Sequence, residues 1–192
     1  MKLAIFGGTF DPIHDAHLEV ARAASLHFHL DRVLFVPAAS PPHKSAGARA
    51  PYDDRVRMAE IACACDPRFE VSRLEEGTAR SYSIDTIERV RARQPEGELY
   101  FLIGADAFAE IRTWHRWRDV ASAVTFLVVS RPGKVYEAPK EIRLERLDSL
   151  ELPVSSSEIR EALAAGEQPA GVPAGVLAYI YSRGLYGAHV AA

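Results

Sequence analysis

Hydrophobic positions along the chain fall into short unbroken runs separated by longer amphipathic stretches. Lys2 to Phe6 is one such run and stops at Gly7-Gly8; Arg32 to Pro37 encloses another, Val33-Leu34-Phe35-Val36. Runs of this length bounded by turn residues read as buried strands. Between them Leu18, Val20, Ala21, Ala24 and Leu26 fit one broad helical face. The first forty residues therefore read as strand, loop, helix, strand, a βαβ unit. The alternation continues with a helix near Asp53 to Cys65, a strand at Phe69 to Val71, a helix near Ile84 to Arg93 and a strand at Leu99 to Ile103. Another apolar run, Val124 to Val129, precedes a weaker one at Ile142 to Leu147. Two helices close the pattern, from about Ser156 to Ala165 and from Pro173 to Arg183, with Gly184 placed to end the second. Such alternation predicts an α/β fold, a doubly wound, mostly parallel sheet with helices on both faces.

Composition agrees and narrows the possibilities. With 192 residues, 48% hydrophobic and 26% charged, the chain fits one domain spanning 1–192. A net charge of −3 offers no global attraction to nucleic acid or to an anionic membrane. Any phosphate-binding surface must then be a local cluster of basic groups, which suits a small anionic ligand. The short apolar start does not read as a signal peptide, and no stretch reaches the length of a membrane span, so a cytoplasmic protein is expected. Cys63 and Cys65 form neither a disulfide framework nor a zinc-ligand pattern and read as small helix residues. The stretch Ala38 to Pro51, rich in Pro, Ser, Ala and Gly, is long for a connection and is expected to close over a ligand.

The densest chemistry lies in Gly7-Gly8-Thr9-Phe10-Asp11-Pro12-Ile13-His14-Asp15-Ala16-His17, between the first strand and the first helix. In an open parallel sheet, ligands bind beyond the carboxyl ends of the strands. Glycines there permit close approach of a nucleotide, and a helix N-terminus offers N–H groups to phosphate. His14 and His17, three apart, would project from one side and could donate hydrogen bonds to phosphate charge. The plainer account makes Asp11 a helix cap, Pro12 its first-turn residue and the histidines solvated.

The same stretch resembles the GGTFDPxHxGH signature of bacterial nicotinate-nucleotide adenylyltransferases, members of the HxGH-type nucleotidylyltransferase superfamily. The resemblance covers most of the chain. It includes Pro41-Pro42-His43-Lys44, Ser81-Tyr82-Ser83-Ile84-Asp85-Thr86, Gly104-Ala105-Asp106, Trp114-His115-Arg116-Trp117 and Ser155-Ser156-Ser157-Glu158-Ile159-Arg160, which is similar to an ISSTxIR segment. Three features depart from the pattern, the mildest being Val154 in place of isoleucine. Ala16 stands where HxGH has glycine, which bears on ATP affinity, and Ser157 replaces a threonine.

The resemblance implies transfer of AMP from ATP to nicotinate mononucleotide, giving nicotinate adenine dinucleotide and pyrophosphate. It implies His14, His17 and Arg160 as catalytic groups. ATP contacts would come from Gly7, Gly8, Thr9, Phe10, His14, His17, Gly104, Asp106, Ser156, Ser157 and Arg160. Acceptor contacts would come from Lys44, Thr86, Trp114 and His115, with Trp114 stacking on the pyridine ring. Magnesium (Mg2+) is expected on the ATP phosphates and not in a protein cage. Partners are the two small substrates and, as an open possibility, a second copy of the chain; neither nucleic acid nor membrane is expected. The plain alternatives are a capping box at Ser155-x-x-Glu158, an exposed loop lysine at 44 and core tryptophans at 114 and 117. Two rival functions share the signature: a related adenylyltransferase for phosphopantetheine or nicotinamide mononucleotide, and a non-catalytic nucleotide sensor.

Overall fold

The computed structural model describes residues 1–40, 47–130, 136–148 and 154–189. Its strands are β1 (Lys2–Gly8), β2 (Arg32–Pro37), β3 (Phe69–Val71), β4 (Glu98–Gly104), β5 (Thr125–Ser130) and β6 (Leu144–Asp148). The helices are α1 (Asp15–His27), α2 (Tyr52–Cys63), α3 (Ser83–Arg93), α4 (Ala105–Ala109), α5 (Trp117–Ala123), α6 (Ser156–Ala164) and α7 (Ala174–Arg183). All six strands are parallel, in the order β3-β2-β1-β4-β5-β6.

The apolar runs have no alternation because both faces of the sheet are covered. Along β1, Ala4 and Phe6 join one core with Leu18, Ala21, Met58, Ile159 and Ile180, from α1, α2, α6 and α7. Leu3 and Ile5 join the opposite core with Ile84, Ile87, Phe108 and Val120, from α3, α4 and α5. The doubly wound expectation therefore holds, with helices on both faces. The chain runs outward from β1 through β2 and β3, then returns to the other side of β1 for β4, β5 and β6. That reversal opens a crevice beyond the carboxyl ends of β1 and β4, where such sheets take ligands.

Three details differ from the sequence pattern. Leu26, assigned to the inner face of α1, is 63% exposed. It stands near the helix end, where the face has rotated away from the sheet. The segment after β4 breaks into α4, a 3-10 turn at Ile111–Thr113 and α5, pieces too short for a helical period to show. Asp11 does not cap α1; His14 occupies that position with extended backbone. Two expectations are met closely. Gly184 ends α7 in the left-handed region at φ 61, and Ser155 caps α6 in a reciprocal box with Glu158.

Candidate active site

The floor of the crevice is made where β1 and β4 end. A Cβ on Gly104 would meet nothing within 4 Å, so this strand end faces open space. One on Gly7 would lie 3.7 Å from the Phe101 ring, an ordinary contact, and Gly7 is itself exposed. Gly8 has a different reason to be glycine. Its Cβ would come within 2.8 Å of the Phe10 ring, which is folded beneath it. Phe10 sits at φ 49, and its side chain is buried edge-on against Phe6 with Phe35 also 5.7 Å away. Of the residues assigned to ATP, Phe10 can therefore offer only backbone; its ring belongs to the core.

The turn delivers two imidazoles to one point. The His14 and His17 rings lie 3.8 Å apart between centroids. The His14 amide donates to His17 Nδ1 at 3.2 Å. With Nδ1 accepting, a neutral His17 ring carries its proton on Nε2. Burial lowers the pKa of His14 to about 4, so it is neutral at pH 7. Its Nδ1 is enclosed with no hydrogen-bond partner. Ala16, in the position of the family's glycine, is buried. Its methyl is covered by the protein itself and takes little of the surface a nucleotide would meet.

Of the groups holding this turn, the sequence offered Asp11 only as a helix cap and left the others unread. Asp11, 3% exposed, accepts from the amides of Arg49 (2.7 Å) and Ala50 (3.0 Å) and from the Tyr186 hydroxyl (2.8 Å). Its carbonyl accepts from Arg160 Nη1 at 2.7 Å. Arg55, only 1% exposed, donates Nη1 to the carbonyls of Thr9 (2.7 Å) and Ala38 (2.8 Å) and Nε to that of Ala50. One buried guanidinium thus joins the signature turn to both ends of the long connection. A signal for it existed: Arg55 stands at helical spacing from Met58, Ala59 and Ala62, on the face α2 buries.

Helix α6 is bonded onto the same turn. Ser156 Oγ donates to the Pro12 carbonyl at 3.0 Å, and Arg160 Nη2 donates to Ser157 Oγ at 3.1 Å. A cavity of about 380 Å³ beside it is lined by Arg49, Ser157, Arg160, Glu161, Ala164 and Tyr186. The predicted phosphate residues of the chain's two ends therefore do meet.

A second cavity of about 350 Å³ is lined by Arg80, Ser81, Tyr82, Ser83, Thr113, Trp114 and His115. Trp114 rests edge-on against Phe101, with ring centroids 5.7 Å apart, and Tyr82 stacks on His115 at 4.3 Å. Arg80 Nη1 donates to the Tyr82 hydroxyl at 3.1 Å. The first turn of α3 begins at the cavity wall with Ser83, and the Tyr82 carbonyl accepts from the Asp85 and Thr86 amides. Thr86 is not among the cavity's lining residues; it is buried, and its hydroxyl donates to Glu75 Oε1 at 2.7 Å. Glu75, which also accepts from the Ala39 amide at 3.3 Å, is a buried acid that sequence reasoning missed. Asp106 is exposed on the first turn of α4, beside Gly104. Trp117 carries the Arg118 guanidinium over its ring at 4.5 Å. Lys44 lies outside the described residues. Among the described residues, no three His, Cys, Asp or Glu side chains are placed to hold a metal ion. No helix among them is long and apolar enough to cross a membrane.

Comparison with known proteins adds an independent line. A family model described as cytidylyltransferase-like matches residues 5–162. A Solibacter usitatus protein named as a probable nicotinate-nucleotide adenylyltransferase is 71% identical over 97% of this chain and 100% of its own length. A Thermus thermophilus protein of the same name is 43% identical over 97% of this chain and 100% of its own. Among solved structures, a Plasmodium falciparum nicotinic acid mononucleotide adenylyltransferase complexed with NaAD superposes with a TM-score of 0.78, covering 97% of each chain at 19% identity. At that identity the likeness concerns the fold.

Proposed function

The chain belongs to the nicotinate-nucleotide adenylyltransferases, within the cytidylyltransferase-like family, and on that premise we propose that it transfers AMP from ATP to nicotinate mononucleotide. The products are nicotinate adenine dinucleotide and pyrophosphate. The observation that carries the reading is a convergence: the imidazole pair of α1 and the Ser156 and Arg160 groups of α6 meet on one turn at the β1–β4 crevice.

An acceptor phosphate oxygen attacks the α-phosphorus of ATP while the bond to the β-phosphate oxygen breaks. Phosphate is already largely ionised at neutral pH, so no base has to remove a proton. The protein has to align the reactants and stabilise phosphate charge. His17, with its proton on Nε2, and the neutral His14 are hydrogen-bond donors to the α-phosphate. Ser156, Ser157 and Arg160 take the outer phosphates at the α6 N-terminus. Gly7 and Gly104 leave room for the adenosine, with Thr9 and Asp106 at its edges. Magnesium, which would reside on triphosphate oxygens, offsets charge there. On the acceptor side, Trp114 supplies a face for the pyridine ring. The α3 N-terminus, the Arg80 charge and the His115 backbone favour its carboxylate. Lys44 is kept as a cation for the acceptor.

Pyrophosphate release measured with ATP and, in turn, nicotinate mononucleotide, nicotinamide mononucleotide and phosphopantetheine tests the proposal. The nicotinate compound is expected to have the highest kcat/KM, by tenfold or more over its amide, because an amide NH2 facing donors leaves at least one unpaired at a cost of about 1–3 kcal/mol. Equal specificity constants, or turnover only with phosphopantetheine, would refute it; no turnover with any acceptor would favour a nucleotide sensor.

A further inference from the structure

The cavity between α6 and the C-terminal turn holds more positive charge than the α6 residues supply. Arg160 is joined on its wall by Arg49, a residue of the Ala38 to Pro51 stretch to which the sequence assigned no role of its own. Arg49 is not there by an accident of an exposed side chain. Its amide is bonded to Asp11 Oδ2 at 2.7 Å, and Asp11 is in turn fixed by Tyr186 and, at its carbonyl, bonded to Arg160. One residue, Asp11, thus sets the spacing of two guanidinium-bearing segments, holding the Arg49 amide with its carboxylate and Arg160 with its main-chain carbonyl. Tyr186 completes the arrangement from a strained position. It has φ 58 and ψ 21, a left-handed conformation that disfavours a bulky side chain, between Gly184 and Gly187, which are also left-handed. The turn of the chain there brings the tyrosine hydroxyl back over Asp11 and the cavity. Burial and the neighbouring Asp11 raise the pKa of that hydroxyl, keeping it a donor.

We infer that Arg49 is a second phosphate-binding cation of the active site, taking the pyrophosphate end of ATP together with Arg160, and that Tyr186 positions it through Asp11. The inference rests on the adenylyl-transfer reading given above. As the bond from the α-phosphorus to its leaving oxygen breaks, the bonding electrons stay on that oxygen, and pyrophosphate departs with the added charge. A second guanidinium on the cavity wall meets that charge and helps orient the leaving group. Glu161, the acid on the same wall, opposes it and favours release.

The reverse reaction isolates the leaving group. With nicotinate adenine dinucleotide and pyrophosphate as substrates, Arg49→Ala is expected to raise the KM for pyrophosphate about tenfold, the usual loss for one charge-assisted contact. Arg49→Lys should restore much of it, Tyr186→Phe should raise it about threefold, and Glu161→Gln should lower it. The KM for the dinucleotide should stay within twofold throughout. Pyrophosphate KM unchanged within twofold in Arg49→Ala, or equal rises in both KM values, would overturn the inference. Calorimetric titration of wild type and Arg49→Ala with pyrophosphate alone keeps the test separate from the reaction. If wild type catalyses neither direction, the functional reading fails, yet weaker pyrophosphate binding by Arg49→Ala would still support the site, and equal binding would reject it.

Discussion

Replacing His14 with glutamine should make the protein less sensitive to acid, even though it damages the site. The pKa of His14 is lowered from 6.5 to about 4 by burial. A folded state that resists protonation loses ground whenever the unfolded chain gains a proton. The contribution is therefore intact above the unfolded value near 6.5 and is lost as pH falls towards about 4. From those two values the loss is about 2 kcal/mol at pH 5 and about 3 kcal/mol near pH 4. Urea unfolding of wild type and His14→Gln at pH 7, 6, 5 and 4.5 measures it as the growing difference between the two. If the two proteins lose stability in parallel, His14 is not a buried neutral imidazole and its role as a neutral donor falls.

Three further outcomes follow from the geometry. His17→Ala should lower kcat about a hundredfold or more with a smaller change in ATP affinity, since its bond strengthens as charge builds during transfer; single-turnover rates against ATP titration separate the two. Trp114→Ala should raise the KM of the nicotinate and nicotinamide mononucleotides by similar factors, about tenfold, because a ring face is common to both; a selective effect on the acid would contradict the stacking role. Asp11→Ala should destabilise the fold by about 3 kcal/mol in urea unfolding, as it strands the buried amide of Ala50 and the part-buried donors of Arg49 and Tyr186.

The sequence made the sheet readable because β1, β2, β4 and β5 are buried on both faces and so carry unbroken apolar runs, while each covering helix is long enough to show its period. Local pattern was a poorer guide after β4, where α4 and α5 have five and seven residues. Site residues were readable where a motif concentrates them, as at His14, His17, Ser156 and Arg160. Arg55, Glu75 and Tyr186 were not, and Asp11 was read only as a cap, because their partners are distant in sequence or are main-chain groups, which leave no mark in residue type. Arg55 reads as a surface arginine until three carbonyls are seen to converge on it. Thr86 was recognised as important, yet its hydroxyl serves Glu75.

The bond between Tyr186 and Asp11 spans nearly the whole chain, and that has a consequence for biosynthesis. A ribosome releases the glycine turn and both imidazoles early, but the α6 groups that accompany them and the hydroxyl that fixes Asp11 emerge far later. A nascent polypeptide can assemble its first βαβ unit and still lack a finished site until Tyr186, 175 residues after Asp11, has left the exit tunnel. Prematurely terminated products would accordingly be inert, with no power to consume ATP unproductively during translation.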